Sequence, residues 1–477
     1  MSGGRVEVEP GFDAPVRVPV AIVGAGACGL VAALRAREAG VECVVLERDA
    51  VPSGSTALSS GFVPAGGTRV QRAAGVDDSP ARFARDIRDK AKGSAAEHLV
   101  VAYADAIAPA IDWLGERHGL AFELLDGFLY PGHRARRMHA LPERTGAALA
   151  HALEAAARTA GADLLCDARV DALVVDRPVP DPRARVLGVR FARPDGDTQS
   201  LACDALVLAC NGFAGDPALV ARHLPQMRDA VFAGHAGNDG SALRWGERLG
   251  AALADLHAYQ GHGSWAVPHG VLITWAVMVD GGVQVNARGE RFHDETRGYS
   301  EAAVDVIAQP GGVAWAVFDA PVLALAQAFP DFLDAQAAGA VRPADDVASL
   351  AATIGCDAGR LAATLDAVAA SAATGTPDRF GRRFARALAP PYRAIRVTGA
   401  LFHTQGGLDV DARCRVLARA GTPLPNLFAG GGAARGVSGD AVWGYLSGNG
   451  LLSAIAGGWI AGAQAARYAT TGSVSTR

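Results

Sequence analysis

VPVAIV-GAGACG-LVAALRAREAG-VECVVLE, running from Val18 to Glu47, is the stretch whose reading decides the fold. Val18 to Val23 is a short apolar, β-branched run and predicts a buried strand. A glycine cluster ends it, Cys28 to Ala39 reads as a helix, and Val41 to Glu47 reads as a second buried strand. Strand, tight turn, helix and strand within about thirty residues is the opening unit of a doubly wound parallel sheet.

Inside that unit Gly24, Gly26 and Gly29 stand at GxGxxG spacing, with Ala27 between the last two. The first glycine permits the turn, and the second lets the backbone approach a pyrophosphate. The third allows close helix–strand packing, and the phosphates sit on the helix N-terminus. Glu47 closes the second strand, where a carboxylate can accept ribose hydroxyls. An acid there favours an unphosphorylated ribose, hence FAD or NAD rather than NADP.

Outward from this unit, helical periodicity covers Pro80 to Gly119 and Gly146 to Gly161. Arg185 to Phe191 and Ala202 to Cys210 read as strands around a polar turn at Pro194 to Asp197. After Asn211-Gly212 the texture changes to glycine-rich loops, a strand-like stretch from Gly270 to Val285, and alanine-rich helices around 300–375. Strands and glycine turns resume from Pro390, and Leu451 to Ala466 closes the pattern as a helix. The expected organisation is a polar tail over 1–17, a dinucleotide domain over 18–227 and 386–466, an inserted cap over 228–385, and a tail over 467–477.

A chain of 477 residues is too long for one simple core, and 50% hydrophobic with 20% charged residues excludes disorder. Forty-five Lys+Arg balance 49 Asp+Glu, with no clustered basic stripe, so no nucleic-acid partner is expected. The only lysines, Lys90 and Lys92, read as compositional bias. Seven scattered cysteines show no CxxC or CxxCH, which leaves a metal cluster or c-type haem without ligands. Most sit in apolar runs, as reduced buried thiols of a cytosolic protein do. The amino terminus has no apolar signal core, and the run from Leu451 to Ala466 is too short and interrupted to span a bilayer. A cytoplasmic protein without membrane insertion is expected.

Pro52 to Gly67, PSGSTALSSGFVPAGG, is a long run of small and hydroxyl residues suited to a backbone threading past a flavin, which favours FAD. GSTALSSGFVPAGGT resembles the second FAD-contacting segment of the flavoproteins that include soluble fumarate reductases, succinate dehydrogenase flavoprotein subunits and 3-oxosteroid 1-dehydrogenases. The resemblance covers nearly the whole chain. Ala205 to Gly215 (ALVLACNGFAG) looks like the strand and turn that re-enter the FAD site. Leu427 to Gly439 (LFAGGGAARGVSG) looks like the last FAD-binding loop, followed by the helix that points at the flavin ring.

The resemblance implies an α/β architecture: a doubly wound, Rossmann-like FAD domain split in sequence by a smaller α+β cap. It places FAD contacts at the glycine turn, Glu47 and Arg48, and at Ser55, Thr56, Ser59, Ser60 and Gly61 of the second segment. Val170, Asn211, Gly212 and Asp239 join them, and the carboxyl-terminal part supplies Gly431, Gly432, Gly450, Leu451 and Leu452. Some family members attach FAD through a histidine that matches Ser55 here, so the flavin is expected to be noncovalent. Members usually carry Glu or Asn where this chain has Gly431 or Gly432, a departure that touches the ribityl contacts.

The chemistry is expected from Gln260-Gly-His262, from VNARGERFHDETRGY (Val285 to Tyr299) and from GALFHTQGGL, which supplies His403. GxRFxxE is a family marker that lies where the cap meets the isoalloxazine. Fumarate reductases bind a carboxylate with two histidines and an arginine, and a second arginine delivers the proton. His262 and His403 match those histidines. The arginines would fall near Asp319 to Leu323 and near Ala441 to Trp443, and none stands in either stretch. The 3-oxosteroid dehydrogenases instead keep a tyrosine four residues after a glutamate, as in Glu295 to Tyr299. They also keep a ketone-polarising tyrosine and glycine amide, nearly matched by Tyr445 and Gly450.

Taking hydride from a saturated carbon requires the neighbouring proton to be acidified, which an oxyanion hole achieves. A tyrosine near its usual pKa of about 10 is a poor base at neutral pH and needs a shifted pKa or a relay. The expected activity is therefore FAD-dependent α,β-dehydrogenation of a cyclic ketone or oxo acid, with hydride passing to flavin N5 and on to an acceptor that the sequence does not identify. Tyr299, Tyr445 and Gly450 would be catalytic; His262, His403, Arg297 and Gln260 would hold substrate. The alternative is fumarate reductase-like reduction of an α,β-unsaturated carboxylic acid; a noncatalytic electron-transfer subunit finds no support in cysteine clusters or an anchor. Both tyrosines and both histidines also fit ordinary packing roles, and Arg297 fits an ion pair with Glu295 or Asp294. Trp265, Trp275 and Trp443 read as walls, and His133 and His139, in GHRARRMH, as solvated surface.

Overall fold

The computed structural model describes residues 4–472 except 126 and 128. It divides into two compact units: Met1–Leu224 with Gly234–Gln260 and His403–Arg477, and Pro225–Ala233 with Gly261–Phe402.

The first unit is built on a nine-stranded sheet. Its parallel part runs Asp163–Leu165, Cys43–Leu46, Arg17–Val23, Thr198–Leu208 and Pro423–Ala429. In Arg17–Val23 three consecutive side chains, Val20, Ala21 and Ile22, are fully buried, as a strand covered on both faces requires. Thr198–Leu208 pairs antiparallel with Val186–Ala192 through its first half and parallel with Pro423–Ala429 through its last residues. Val23 lies opposite both Leu46 and Leu208, so the loops after these strands leave the sheet at one edge. That carboxyl edge is where doubly wound sheets bind ligands.

Helix Ala27–Glu38 is buried along most of its length and packs on the long terminal helix Asn449–Thr471. The approach is close: a Cβ at Gly458 would stand 2.3 Å from the Cys28 carbonyl, and one at Gly462 2.3 Å from that of Ala32. Burial pushes the Cys43, Cys203, Cys210 and Cys414 thiols up to about 12, which keeps them protonated and inert.

The second unit holds a sheet ordered Val271–Leu272, Tyr259–Ala266, Tyr392–Thr404, Val313–Asp319 and Val283–Val285. Alternation along Val313–Asp319 sends Ala314, Ala316 and Phe318 into one apolar cluster and Trp315 and Val317 into another. Helices cover both faces, and each face has its own core.

Several boundaries differ from the expectation. The cap expected over 228–385 corresponds to a unit that extends to Phe402 and leaves 234–260 in the first unit, because Tyr392–Thr404 is the central strand of its sheet. The tail expected over 1–17 contains a strand, Arg5–Val8, parallel to Ala172–Val175, with Arg190 holding Glu7 and Glu9 at 2.7 and 2.5 Å. The tail expected from 467 continues the last helix to Thr471; residues 1–3 and 473–477 lie outside the described ones. Gly270 to Val285 is broken by the helical turn Ala276–Val279. Strands Arg169–Val175 and Tyr259–Ala266 carry too little alternating polarity to be read from sequence. Among the described residues no helix is long and apolar enough to cross a membrane.

Candidate active site

The cofactor cradle is made of main chain and small side chains at the carboxyl edge of the first sheet. Gly24 N–H donates to the Leu46 carbonyl at 2.8 Å, and a Cβ on Gly29 would stand 1.9 Å from the Gly24 carbonyl. Only glycine fits there. At Gly26 the space is open, with Thr56 Oγ1 3.5 Å from where a Cβ would sit. Helix Ala27–Glu38 starts there without a side-chain cap or an acid in its first turn. Thr56 Oγ1 instead accepts the Ala27 N–H at 2.9 Å, tying the second segment to the glycine turn.

The buried Glu47 carboxylate accepts from Ala25 N–H at 2.7 Å and Asp49 N–H at 3.0 Å, and burial raises its pKa. Its carbonyl accepts from Ala168, which feeds the strand carrying buried Val170. Arg48 reaches Asp239 at 3.2 Å. Ser55 Oγ accepts from Asn211 Nδ2 at 2.7 Å and from Asn238 Nδ2 at 3.2 Å. Ser59 Oγ donates to the Thr56 carbonyl at 2.7 Å and accepts from Gly61 N–H at 3.1 Å, while Ser60 is exposed.

A side chain at Gly432 would meet Asn211 Oδ1 at 2.4 Å, so glycine there makes room for Asn211, whose backbone leads into Gly212. Gly431 backs onto Cys28, and Leu451 and Leu452 are buried in the first turn of the terminal helix. That turn also lacks a cap, and Asn449 Oδ1, Ser453 Oγ and Asn238 Oδ1 are buried without a partner. Two uncapped helix starts, an open glycine and orphaned polar atoms on the expected segments fit FAD. Asn238, Asn449 and Ser453 were not singled out in the sequence because single polar residues in glycine-rich loops carry no spacing signal.

Two tyrosine–histidine pairs follow, one in each unit. In the first unit Tyr445 is buried, and its hydroxyl donates to Gln260 Oε1 at 3.2 Å. Its ring meets His403 edge-on at 6.0 Å. A Cβ on Gly450 would stand 2.9 Å from His403 Nε2 and 3.6 Å from the Tyr445 hydroxyl, so glycine keeps this corner open. His403 Nδ1 lies 3.2 Å from the Thr404 carbonyl and 3.3 Å from the Gln405 amide, and burial lowers its pKa. These groups converge on one polar corner.

In the second unit Tyr299 opens helix Tyr299–Ile307 and stacks on His262 at 4.9 Å and 19°. Trp275 meets His262 edge-on at 5.4 Å, and Phe402 at 6.3 Å. His262 Nδ1 accepts the Ser264 N–H at 3.1 Å, which leaves its proton on Nε2, and burial lowers its pKa to about 3. The ring is therefore a neutral donor at physiological pH. Trp275 is buried and donates through Nε1 to the Glu295 carbonyl at 3.0 Å; Trp265 packs edge-on to Phe402 at 5.9 Å.

Some expectations need correcting. The Glu295 carboxylate is paired with Arg291 (2.9 and 2.6 Å) and Arg382 (2.6 Å), and Asp294 accepts from the Thr296 hydroxyl. Burial alone would raise its pKa; the two guanidiniums hold it at about 2. The GHRARRMH loop is solvated only in part: Arg134 and Arg136 are exposed, but His133 and His139 are buried, and Arg137 is buried between Asp78 and Asp86. Two buried aspartates neutralise that arginine, which lets the loop fold inward. Trp443 is 42% exposed beneath Lys92 Nζ at 4.8 Å rather than lining a wall. Asp319, in a stretch where a fumarate reductase arginine would fall, binds Arg386 through both oxygens.

Residues 19–451 match the family described as FAD binding domain. NADH:fumarate oxidoreductase of Klebsiella pneumoniae is 28% identical over 97% of this chain, which spans 49% of that relative's length. The 4-oxocyclohexanecarboxylate 2-dehydrogenase of Sinomonas cyclohexanicum is 26% identical over 87% of each chain. Among solved structures, the open conformation of a flavocytochrome c3 fumarate reductase superimposes with a TM-score of 0.80 at 27% identity, covering 96% of this chain and 79% of that one. A 3-ketosteroid-Δ4-(5α)-dehydrogenase from Rhodococcus jostii in complex with 4-androstene-3,17-dione gives 0.76 at 25% identity, covering 97% and 99%.

Proposed function

The chain belongs to the FAD-binding domain family of flavin-dependent oxidoreductases, and from that premise we propose that it desaturates a carbon–carbon bond next to the carbonyl of a cyclic ketone or oxo acid. The observation that carries this reading is the polar corner of Tyr445, Gly450 and His403. There a buried phenol and an imidazole stand around a residue without a side chain. FAD, when bound without a covalent link, supplies the hydride acceptor. The Gly450 N–H and the Tyr445 hydroxyl, its proton turned from Gln260 Oε1 to the substrate, polarise the ketone and stabilise the enolate oxygen. Tyr299, its own proton first passed to a relay, takes the adjacent proton from its place against the His262 ring, and Gln260 orients Tyr445. Where the substrate carries a carboxylate, His262, His403 or Arg297 holds it. The electron acceptor is a separate partner.

Support comes from the relatives whose names state a ketone-bearing substrate and from two structural facts. His262 is neutral, and Asp319 neutralises Arg386, so neither supplies the cationic clamp a dicarboxylate needs. The test is anaerobic flavin bleaching against cyclic ketones, cyclic oxo acids and saturated dicarboxylic acids. Bleaching by a ketone or oxo acid supports the reading; bleaching by none of them removes it. A second reading, reduction of an α,β-unsaturated acid, is favoured by the relatives named as fumarate reductases and by histidines at both matching motifs. Rapid fumarate turnover with a reduced viologen donor would put it first.

A further inference from the structure

In the first unit a line of buried polar side chains runs from the terminal helix to His403. Asn449 Nδ2 donates to Ser438 Oγ at 3.0 Å, and Ser438 Oγ donates to Gln405 Oε1 at 2.9 Å. Gln405 Nε2 lies 3.3 Å from His403 Nδ1. Donors and acceptors alternate in one direction, so each assignment fixes the next. An amide N–H donating to Nδ1 requires a lone pair there, which puts the ring proton on Nε2. The Thr404 carbonyl, 3.2 Å from Nδ1, makes the opposite demand, because it only accepts and so needs the proton on Nδ1. The two demands exclude each other. The adjacent carbonyl favours one tautomer, and the side-chain line favours the other.

Nε2 is the nitrogen that matters, since it stands against Gly450 on the side of the Tyr445 hydroxyl. We propose that Gln405, Ser438 and Asn449 are positioning residues that hold His403 as the Nε2–H tautomer, so that its ring adds a donor beside Tyr445 for the developing enolate oxygen. The other tautomer would turn a lone pair toward that oxygen and repel it. Burial lowers the ring's pKa and so favours the neutral form, in which the choice between tautomers decides what Nε2 offers. The catalytic part of this inference rests on His403 meeting the substrate; the tautomer does not.

The experiment is a long-range proton–nitrogen NMR correlation on holoenzyme labelled with ¹⁵N-histidine, with His403 assigned from a His403→Asn variant. Wild type should show an unprotonated Nδ1. Gln405→Met should move the proton to Nδ1 under the pull of the Thr404 carbonyl, and Ser438→Ala should move it partway, while Ser438→Thr keeps the wild-type pattern. Ser438→Ala removes one hydroxyl and keeps the test open if Gln405→Met loses FAD. Single-turnover bleaching by a reactive ketone should slow on the order of ten- to a hundredfold in Gln405→Met, less than removal of an oxyanion donor costs. A wild-type proton on Nδ1, or a tautomer unmoved in both variants, overturns the proposal. A tautomer that switches while bleaching keeps its wild-type rate overturns the donor role of His403 and leaves the Tyr445 reading standing. Loss of ketone bleaching in wild type with the tautomers behaving as stated would instead remove the ketone reading.

Discussion

Each unit carries one tyrosine–histidine pair, and the two differ in their surroundings. Tyr445 and His403 meet edge-on among amides, a serine and a glycine, with the ring's Nδ1 and the phenol hydroxyl each placed near a polar group. Tyr299 and His262 stack flat inside an aromatic box of Trp275 and Phe402, where burial takes the imidazole pKa to about 3. A polar corner can stabilise developing charge on oxygen, and an apolar box keeps the His262 ring neutral and away from water. The same residue types thus serve different steps because their neighbours differ.

The largest expected effect comes from deleting either phenol. Tyr445→Phe should cost a hundred- to thousandfold in single-turnover flavin bleaching by ketone, through the lost oxyanion donor. Tyr299→Phe should cost about a hundred- to ten-thousandfold as loss of a general base. Both should keep FAD and substrate binding, read as the flavin spectrum and its perturbation by ligand. If Tyr299→Phe bleaches at the wild-type rate, the apolar pair is packing and the contrast between the pairs collapses.

Next in size is the buried ion cluster of the second unit. Glu295→Gln would leave Arg291 and Arg382 buried without their carboxylate, which typically costs about 3–5 kcal/mol. Calorimetry should show a large loss of thermal stability. Because Glu295 titrates at about 2 in the folded protein and near 4.3 when unfolded, its stabilisation is complete above about pH 4.3 and is lost as pH falls toward 2. Melting temperatures of wild type should drop through that window, and those of Glu295→Gln should drop less.

A smaller effect sharpens the contrast through pH. His262 resists protonation to about pH 3, so it should contribute no limb to the bleaching rate between pH 5 and 8. It instead draws down stability, since an unfolded histidine binds its proton near 6.5 and the folded one does not. His262→Gln should therefore flatten the fall of melting temperature between pH 6.5 and 3 while leaving the rate profile's shape unchanged. The smallest effect is Ser55→Ala, which strips Asn211 and Asn238 of a shared acceptor. It should weaken FAD retention only several-fold, about 1 kcal/mol, with all flavin still released by acid.

The cradle was legible because main-chain geometry forces residue types. A turn that leaves 1.9 Å for a side chain at Gly29 admits only glycine, so spacing alone exposes it. Glu47 was legible for a related reason, its fixed distance from that turn. The polar corner was half legible: Tyr445, Gly450 and His403 stand in recognisable motifs, but Gln405, Ser438 and Asn449 join them only through tertiary contacts between distant segments. The GHRARRMH loop misled for an electrostatic reason. Its charges suggest solvent, yet Asp78 and Asp86, more than fifty residues earlier, bring Arg137 inside. The partners of Glu295 were missed likewise, since Arg382 lies 87 residues away.

The central claim, that the polar corner handles a ketone oxygen, is tested most directly by stopped-flow flavin spectroscopy on wild type and Tyr445→Phe. Oxidised enzyme is mixed with a cyclic ketone in one arm, and reduced enzyme with fumarate in the other. The account predicts that ketone bleaches wild-type flavin, that Tyr445→Phe loses a hundredfold or more of that rate, and that fumarate reoxidises neither protein rapidly. Fast reoxidation by fumarate together with ketone bleaching that Tyr445→Phe leaves intact would contradict it.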